Sequence, residues 1–381
     1  MPLPEPSLAA LTISKQLTQL IADEIQTQGW IDFARYMHLA LYAPNLGYYS
    51  AGAVKFGTDG DFVTAPEISP LFGHSLAHQV AQVLAISGGD VLELGAGSGR
   101  LACDLLAELM RLNSVPDQYY ILEVSADLRE RQQQLLADEL PELVARVVWL
   151  DHLPAVFTGC MVANEVLDAL PVQVLHWQQD GLYQRGVGWD GQRFIWYEQS
   201  LAAGHLRGLA EAIQAPVNYI SEIGLAAQGL VNSLAHCLSR GAIIVIDYGF
   251  GEREYYHPQR ELGTIMCHYR QHAHSDPFYL PGLQDITAHV DFTAMAGVAL
   301  DAGLDLAGYT GQAQFLINCG ITDLLARTSA TDTAAYIPQV AAVQKLMSPA
   351  EMGELFKVMA WTRGITVPLL GFMQGDQSRR L

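Results

Sequence analysis

Apolar residues recur at helical spacing from Leu8 to Gln28, closed by Gly29, and again over Phe33–Leu41, which Pro44 stops. The stretch from Ala43 to Pro70 is dense in Gly, Pro and Asp and reads as loop; a helix over Leu71–Ile86 follows, closed by Gly88-Gly89. From Asp90 the pattern changes to alternating elements. Strands are expected at Asp90–Gly95, Tyr119–Val124, Val147–Leu150 and Met161–Asn164, with helices at Arg100–Leu112 and Ala126–Leu140. Such alternation predicts right-handed βαβ units and a parallel sheet. Val172–Gln178, Leu182–Gly188 and Arg193–Gln199 then alternate like antiparallel strands, with turns at Asp180-Gly181 and Asp190-Gly191. A helix over Glu222–Ser239 leads into GAIIVIDYG, a further core strand, and Gly251–His289 reads as a long ordered loop. Phe292–Ala302 is expected to be helical, and Phe356–Thr362 a last strand. The fold class is α/β, Rossmann-like, with central antiparallel and loop insertions.

Half of the 381 residues are apolar and 16% are charged, as in a well-buried globular enzyme. A net charge of -19 repels phosphate backbones, so nucleic acid is not an expected partner, while basic ligands are attracted. Five scattered cysteines without a C-x-x-C pair suggest free thiols in a reducing compartment. The N-terminus carries Glu5 and no arginine before Arg35, so neither a secretory signal nor a mitochondrial presequence is expected. Since Ala242–Ile246, the longest strand-like apolar run, is too short to span a bilayer, the expectation is a cytoplasmic protein with no membrane association. Oligomeric state is not readable.

Candidate chemistry begins at VLELGAGSGRLACDLL, where a strand ends near Glu93, turns through Gly95, Gly97 and Gly99, and opens a helix. Glycines there let the backbone turn sharply and a ligand approach without meeting a Cβ, although a plain structural turn has the same composition. The dinucleotide fingerprint wants a sixth-position glycine, where Arg100 stands. The form E-x-G-x-G-x-G instead suits S-adenosyl-L-methionine (SAM), whose ammonium and sulfonium a carboxylate at Glu93 can meet; a nicotinamide or flavin nucleotide is the alternative. Glu123, ending the next strand, can accept both ribose hydroxyls or stand as a solvated acid. Asp151 occupies the following strand end, as an adenine neighbour or a turn residue. Asn164, Glu165 and Asp168 follow the fourth strand, where ligands of open α/β sheets sit. A carboxylate there can orient a guanidinium or amine, or take its proton, and Asn164 can equally cap a helix. Cys267, His268, His272 and His274 match no common zinc spacing, so no metal is expected. His289 and Asp291 share a face of an extended segment and, with Tyr248, are candidates for an acceptor cleft.

These residues resemble the MidA family of SAM-dependent methyltransferases, together with YMHLALYAPNLGYYS, GDFVTAPEIS, LEVS, NEVLDALPV, IDYG, DITAHVDF and FKVMAWTRG. The family includes a mitochondrial protein-arginine methyltransferase needed for complex I assembly. The resemblance implies a seven-stranded methyltransferase core over residues 89–381 and an N-terminal helical cap with a cofactor-covering loop over residues 1–88. Insertions at about 172–218 and 250–290 would form the acceptor cleft. It implies that Gly60–Ser69 lies over SAM with Thr64, Pro66 and Glu67 as contacts. The implied acceptor is an exposed arginine of a protein partner, with Glu165 the best-placed carboxylate. A SAM-binding assembly factor and a small-molecule methyltransferase are the alternatives.

Overall fold

A computed structural model describes residues 3–50 and 64–381, so Gly60–Val63 of the expected covering loop lie outside the described residues. Helix α1 (Leu8–Gln28) starts where the Ser7 hydroxyl accepts the Ala10 amide, and stops at Gly29, whose φ of 86° suits glycine. After a short β1 (Ile31–Asp32), α2 (Phe33–Tyr42) is capped by the Asp32 carboxylate, which accepts from Arg35 at 2.7 Å. The chain continues through α3 (Ala65–Ile68), α4 (Pro70–Ser87), β2 (Asp90–Leu94), α5 (Arg100–Arg111), β3 (Tyr119–Leu122), α6 (Ala126–Glu139), β4 (Val147–Leu150) and β5 (Phe157–Asn164). Then come β6 (Gln173–Gln178), β7 (Gly181–Trp189), β8 (Phe194–Ser200), α7 (His205–Ala212), β9 (Tyr219–Ile223), α8 (Leu225–Cys237) and β10 (Leu238–Phe250). The remainder is α9 (Glu252–Tyr255), β11 (Met266–Tyr269), β12 (His272–His274), β13 (Asp285–Thr287), β14 (Val290–Asp291), α10 (Phe292–Asp301), β15 (Asp305–Gly311), α11 (Gln312–Asn318), α12 (Ile321–Leu325), α13 (Thr333–Met347) and β16 (Phe356–Arg363).

The chain forms two compact units. A parallel-sheet unit comprises Val63–Val166, Leu230–Gly249 and Phe292–Leu381; an antiparallel unit comprises Met1–Phe62, Leu167–Gly229 and Phe250–Asp291. In the first, strands run in the order β15-β16-β10-β5-β2-β3-β4. From β10 through β4 the neighbours are parallel, while β16 and β15 join antiparallel. The central parallel strands β2, β5 and β10 are buried on both faces, as expected when helices cover a sheet. Phe72, Leu76 and Val80 of α4 share one core with Leu105 and Leu109 of α5 and with Ile121, Val162, Ile244 and Val358. Each such side chain contributes roughly 1.5–3 kcal/mol by leaving water. Packing thus places α4 with the sheet, although residues 1–88 read as one N-terminal segment in the sequence.

Close strand approach is set by Gly159 in β5, opposite both Asp90 and Gly241. Its φ is +132°, and a Cβ there would stand 1.9 Å from the Asp90 carbonyl oxygen. Gly159→Ala is therefore expected to lower the unfolding free energy by about 2–4 kcal/mol, read as a lower urea midpoint at unchanged slope.

In the antiparallel unit, one sheet runs β1-β7-β6-β9 with β8 on β7, and a second runs β12-β11-β13. Leu17, Ile21 and Ile25, spaced four apart on α1, pack with Phe33, Tyr36 and Met37 of α2 over Val174, Val187 and Phe194. Two expectations are corrected here. The helix expected from Glu222 starts at Leu225, because Glu222 pairs in register with Val174 and is fully buried; Gly224 separates strand from helix. Its carboxylate accepts from the Thr264 amide and hydroxyl and the Ile265 amide, partners 42 and 43 residues away. Gly251–His289, read as loop, contains α9 and the β12-β11-β13 sheet, whose strands exist through mutual pairing more than local propensity. No helix of the described residues is long and apolar enough to cross a membrane.

Candidate functional site

Within the parallel-sheet unit, β2 runs directly into the glycine loop, where Gly95, Gly97 and Gly99 have φ of 62°, 53° and 89°. Any L-residue pays for that region of conformational space, and at Gly99 a Cβ would also press on the Gln132 Cα at 3.2 Å. The loop then opens α5 at its N-terminus. Arg100 turns away, binding Glu139 through both terminal nitrogens at 2.6 and 2.5 Å and Asp104 at 3.0 Å, so no free cation faces the loop from that position.

Glu93 lies at the end of β2, 1% exposed, and accepts the Tyr119 hydroxyl at 2.7 Å. Burial pushes its carboxyl up from 4.5 to about 7; the Tyr119 hydrogen bond opposes this and the nearby Glu123 adds to it. The folded chain therefore holds this proton between pH 4.5 and about 7 while an unfolded chain has lost it. Stability without ligand is expected to fall as pH rises through that window, and Glu93→Gln should flatten the slope seen in thermal melts from pH 5 to 8.

Glu123 stands just past β3, also buried. Its two oxygens accept, one each, from the Ser125 amide at 2.9 Å and from Gln132 Nε2 at 3.1 Å, and burial raises its carboxyl. Gln132 Nε2 also donates to the Gly97 carbonyl at 2.9 Å, and its Oε1 accepts from the Trp149 indole at 3.0 Å. One amide of α6 thus ties the glycine loop, the β3 acid and β4 together. Sequence reasoning missed Gln132. Its signal was a polar residue on the stripe of Leu128 and Leu136, four residues to either side. Asp151, after β4, is exposed and ion-paired with Arg129 at 2.8 Å.

At the end of β5 the backbone turns sharply: Glu165 has φ 52°, an uncommon value for a residue other than glycine. Its amide donates to the Ile246 carbonyl at 2.9 Å, and the Val166 amide to Asp247 Oδ2 at 3.2 Å. Asp247, in IDYG, is fully buried and also accepts from the Tyr248 amide, so it shapes this edge. Glu165 Oε1 accepts from Asn164 Nδ2 at 3.2 Å and from the Ala65 amide at 3.4 Å. Thr64 is the N-cap of α3, Pro66 is buried in its first turn, and Glu67 accepts a short hydrogen bond from the Ser98 hydroxyl of the glycine loop. Segment 64–67, the glycine loop and the Asn164-Glu165 turn are therefore joined by direct contacts. Tyr248 packs edge-on against Phe356.

The remaining candidates lie in the antiparallel unit. Asp168 is buried, and its carbonyl accepts the Ala288 amide at 2.9 Å. The His289 amide donates to the Thr264 hydroxyl, and its ring meets Phe250 at 5.1 Å between centroids. Burial, aided by the Arg260 charge, lowers its imidazole to about 4, so it is neutral at pH 7. Asp291 is half-buried at the end of β14. Cys267 and His268 fall on β11 and His272 and His274 on β12; among the described residues no group of three His, Cys, Asp or Glu could hold a metal.

The parallel-sheet site suits a cationic cofactor. Among the described residues its buried acids, Glu93 and Glu123, form no ion pair, and Asn164 Oδ1 is buried without a hydrogen-bond partner. The comparisons agree. Residues 75–310 match the family model described as "Putative S-adenosyl-L-methionine-dependent methyltransferase". The crystal structure of a COG1565 superfamily member from Burkholderia thailandensis bound to S-adenosyl-homocysteine (SAH) is 49% identical, covers 100% of both chains and superposes with a TM-score of 0.97. The mitochondrial protein arginine methyltransferase NDUFAF7 of Danio rerio is 27% identical, over 92% of this chain and 88% of its own. That of Bos taurus is 29% identical, over 92% and 83%. These relatives are mitochondrial, which overturns the expectation of a cytoplasmic protein drawn from the basic-poor N-terminus. The nicotinamide and flavin alternatives fall away, and SAM is the cofactor. With strand, glycine loop and acids in this arrangement, the chain belongs to the family of S-adenosyl-L-methionine-dependent methyltransferases.

Proposed function

We propose that this chain transfers a methyl group from SAM to an arginine side chain of a protein. The observation that carries the reading is Glu165, a half-buried carboxylate in a strained turn at the carboxyl edge of the parallel strands. The names of the curated relatives, protein arginine methyltransferases, support the acceptor class, as does a net charge of -19 that attracts a basic segment.

In this reading Glu93 faces the cationic amino-acid end of SAM, Gly95, Gly97 and Gly99 let it approach the backbone, and Glu123 takes the ribose hydroxyls. Asp151 stands at the adenine end, and Thr64, Pro66 and Glu67 close over the pocket. The insertions at about 172–218 and 250–290, both within the antiparallel unit, are assigned to acceptor binding. Bound SAM supplies a methyl group already activated on its sulfonium. What the chain must add is alignment of one guanidinium nitrogen and removal of one proton. Glu165 Oε atoms accept guanidinium N–H groups, steer a nitrogen toward the methyl and take the proton as the new N–C bond forms and the S–C bond breaks, leaving S-adenosyl-homocysteine. Asn164 orients Glu165, and Tyr248, in the same unit, lines the acceptor path. In the antiparallel unit a neutral His289 adds no positive charge against a basic segment.

Two measurements test this reading. Protein incubated with methyl-labelled SAM and a cell lysate should place label in protein, recovered as methylarginine after acid hydrolysis; label confined to small molecules overturns the acceptor class. SAH affinity should rise several-fold between pH 6 and pH 8 as Glu93 loses its proton, a dependence absent in Glu93→Gln.

A further inference from the structure

The antiparallel unit holds a cavity of about 600 Å³ built wholly from its own segments: α1, the β7–β8 hairpin and the stretch Asp276–Pro281. None of its lining belongs to the SAM site. The volume falls in the range of small-molecule sites, roughly 300–1,000 Å³.

Its wall is a preassembled aromatic cluster. The ring of Phe278 lies 5.1 Å from that of Trp196 and 6.1 Å from that of Phe194, while Phe194 meets Trp189 at 5.1 Å edge-on. Behind them, Phe33 stacks on Trp196 at 5.1 Å and the Arg185 guanidinium lies 4.4 Å over the same ring, so Trp196 is held in place before any ligand arrives. The rim carries Lys15 and Arg193 and, at the start of the third segment, the carboxylate of Asp276. Lys15 is exposed and forms no ion pair among the described residues, in a chain with 40 acids against 21 Lys and Arg. Arg193, on the hairpin, pairs with the exposed Asp190 at 3.4 Å. An aromatic-walled hollow with an unpaired lysine on its rim is complementary to a flat apolar body carrying one negative group.

We propose that this cavity is a second binding site, for a small amphipathic organic anion: an aromatic or apolar body bearing a carboxylate or sulfonate. The apolar body lies along Trp189, Phe194 and Phe278, and the anion meets Lys15. An acidic peptide segment of a protein would present the same charge but would extend beyond a hollow of this size.

The probe is 8-anilinonaphthalene-1-sulfonate, compared with N-phenyl-1-naphthylamine, which has the same aromatic body without the sulfonate. Full-length protein saturated with SAH should bind one equivalent of the sulfonate, since the SAM site is occupied. Lys15→Glu should weaken the sulfonate at least fivefold and the uncharged amine less than twofold, and Trp189→Ala should weaken both. An unchanged SAH affinity and far-ultraviolet spectrum establish that each variant is folded. Displacement of the probe by SAH, equal loss of both probes in Lys15→Glu, or no stoichiometric binding would each overturn the proposal. So would an acidic, aromatic-bearing peptide binding where the sulfonate does not.

Discussion

Glu123→Ala is expected to weaken SAH binding by at least about 100-fold in calorimetric titration while leaving the chain folded. The carboxylate keeps a lone pair on each oxygen after accepting from Ser125 and Gln132, and under the proposed binding mode these accept a pair of adjacent ribose hydroxyls. Losing two charge-assisted hydrogen bonds in a buried site costs roughly 3 kcal/mol, which is the 100-fold. The fold should survive because Gln132 retains the Gly97 carbonyl and the Trp149 indole as partners. Removing a buried acid whose ionisation burial already opposes should make the ligand-free melt at pH 8 no lower than that of the parent. A variant that binds SAH within threefold of the parent would remove Glu123 from the cofactor site.

Glu165→Gln is expected to lower methyl transfer by 10²–10⁴-fold in kcat with SAH affinity changed less than threefold. Glutamine keeps an oxygen to accept from the Asn164 amide and the Ala65 backbone, so the strained turn at φ 52° and its contact with α3 can persist. It loses the negative charge that neutralises a guanidinium and the basicity that takes its proton. A drop in kcat and in kcat/KM together, with the SAH titration intact, marks a group acting on the acceptor. Equal loss of SAH affinity would make Glu165 a support for segment 64–67 instead. Full activity would dismiss it from the chemistry.

The parts of this site legible in the sequence were those written in contiguous residues. A strand ending in an acid, three glycines at alternate positions and a following amphipathic helix can be read without a partner, because the conformational need for φ > 0 is local to each glycine. The same holds for Glu123 after β3 and Glu165 after β5, since strand ends in an alternating α/β pattern converge at one sheet edge. The resemblance to the MidA family extended this to SAM and to methyl transfer.

What the tertiary structure alone decided rests on distant partners. Gln132 reads as an ordinary helix residue until α6 packs beside the loop, where it meets Gly97, Glu123 and Trp149 at once. Glu222 reads as a helical acid, but burial among Thr264 and Ile265 makes it a strand residue, because a buried carboxylate takes whatever backbone supplies its donors. The strands between Met266 and Thr287 likewise follow from pairing, not propensity. The order of elements through the core, the glycine turn and the acids at the strand ends are local properties of the chain, since periodicity and backbone freedom act within a few residues. The structure decided that the chain divides between two units, which buried polar groups are satisfied and by whom, and where an aromatic hollow opens. Those depend on contacts closed across tens to hundreds of residues, which no local pattern encodes.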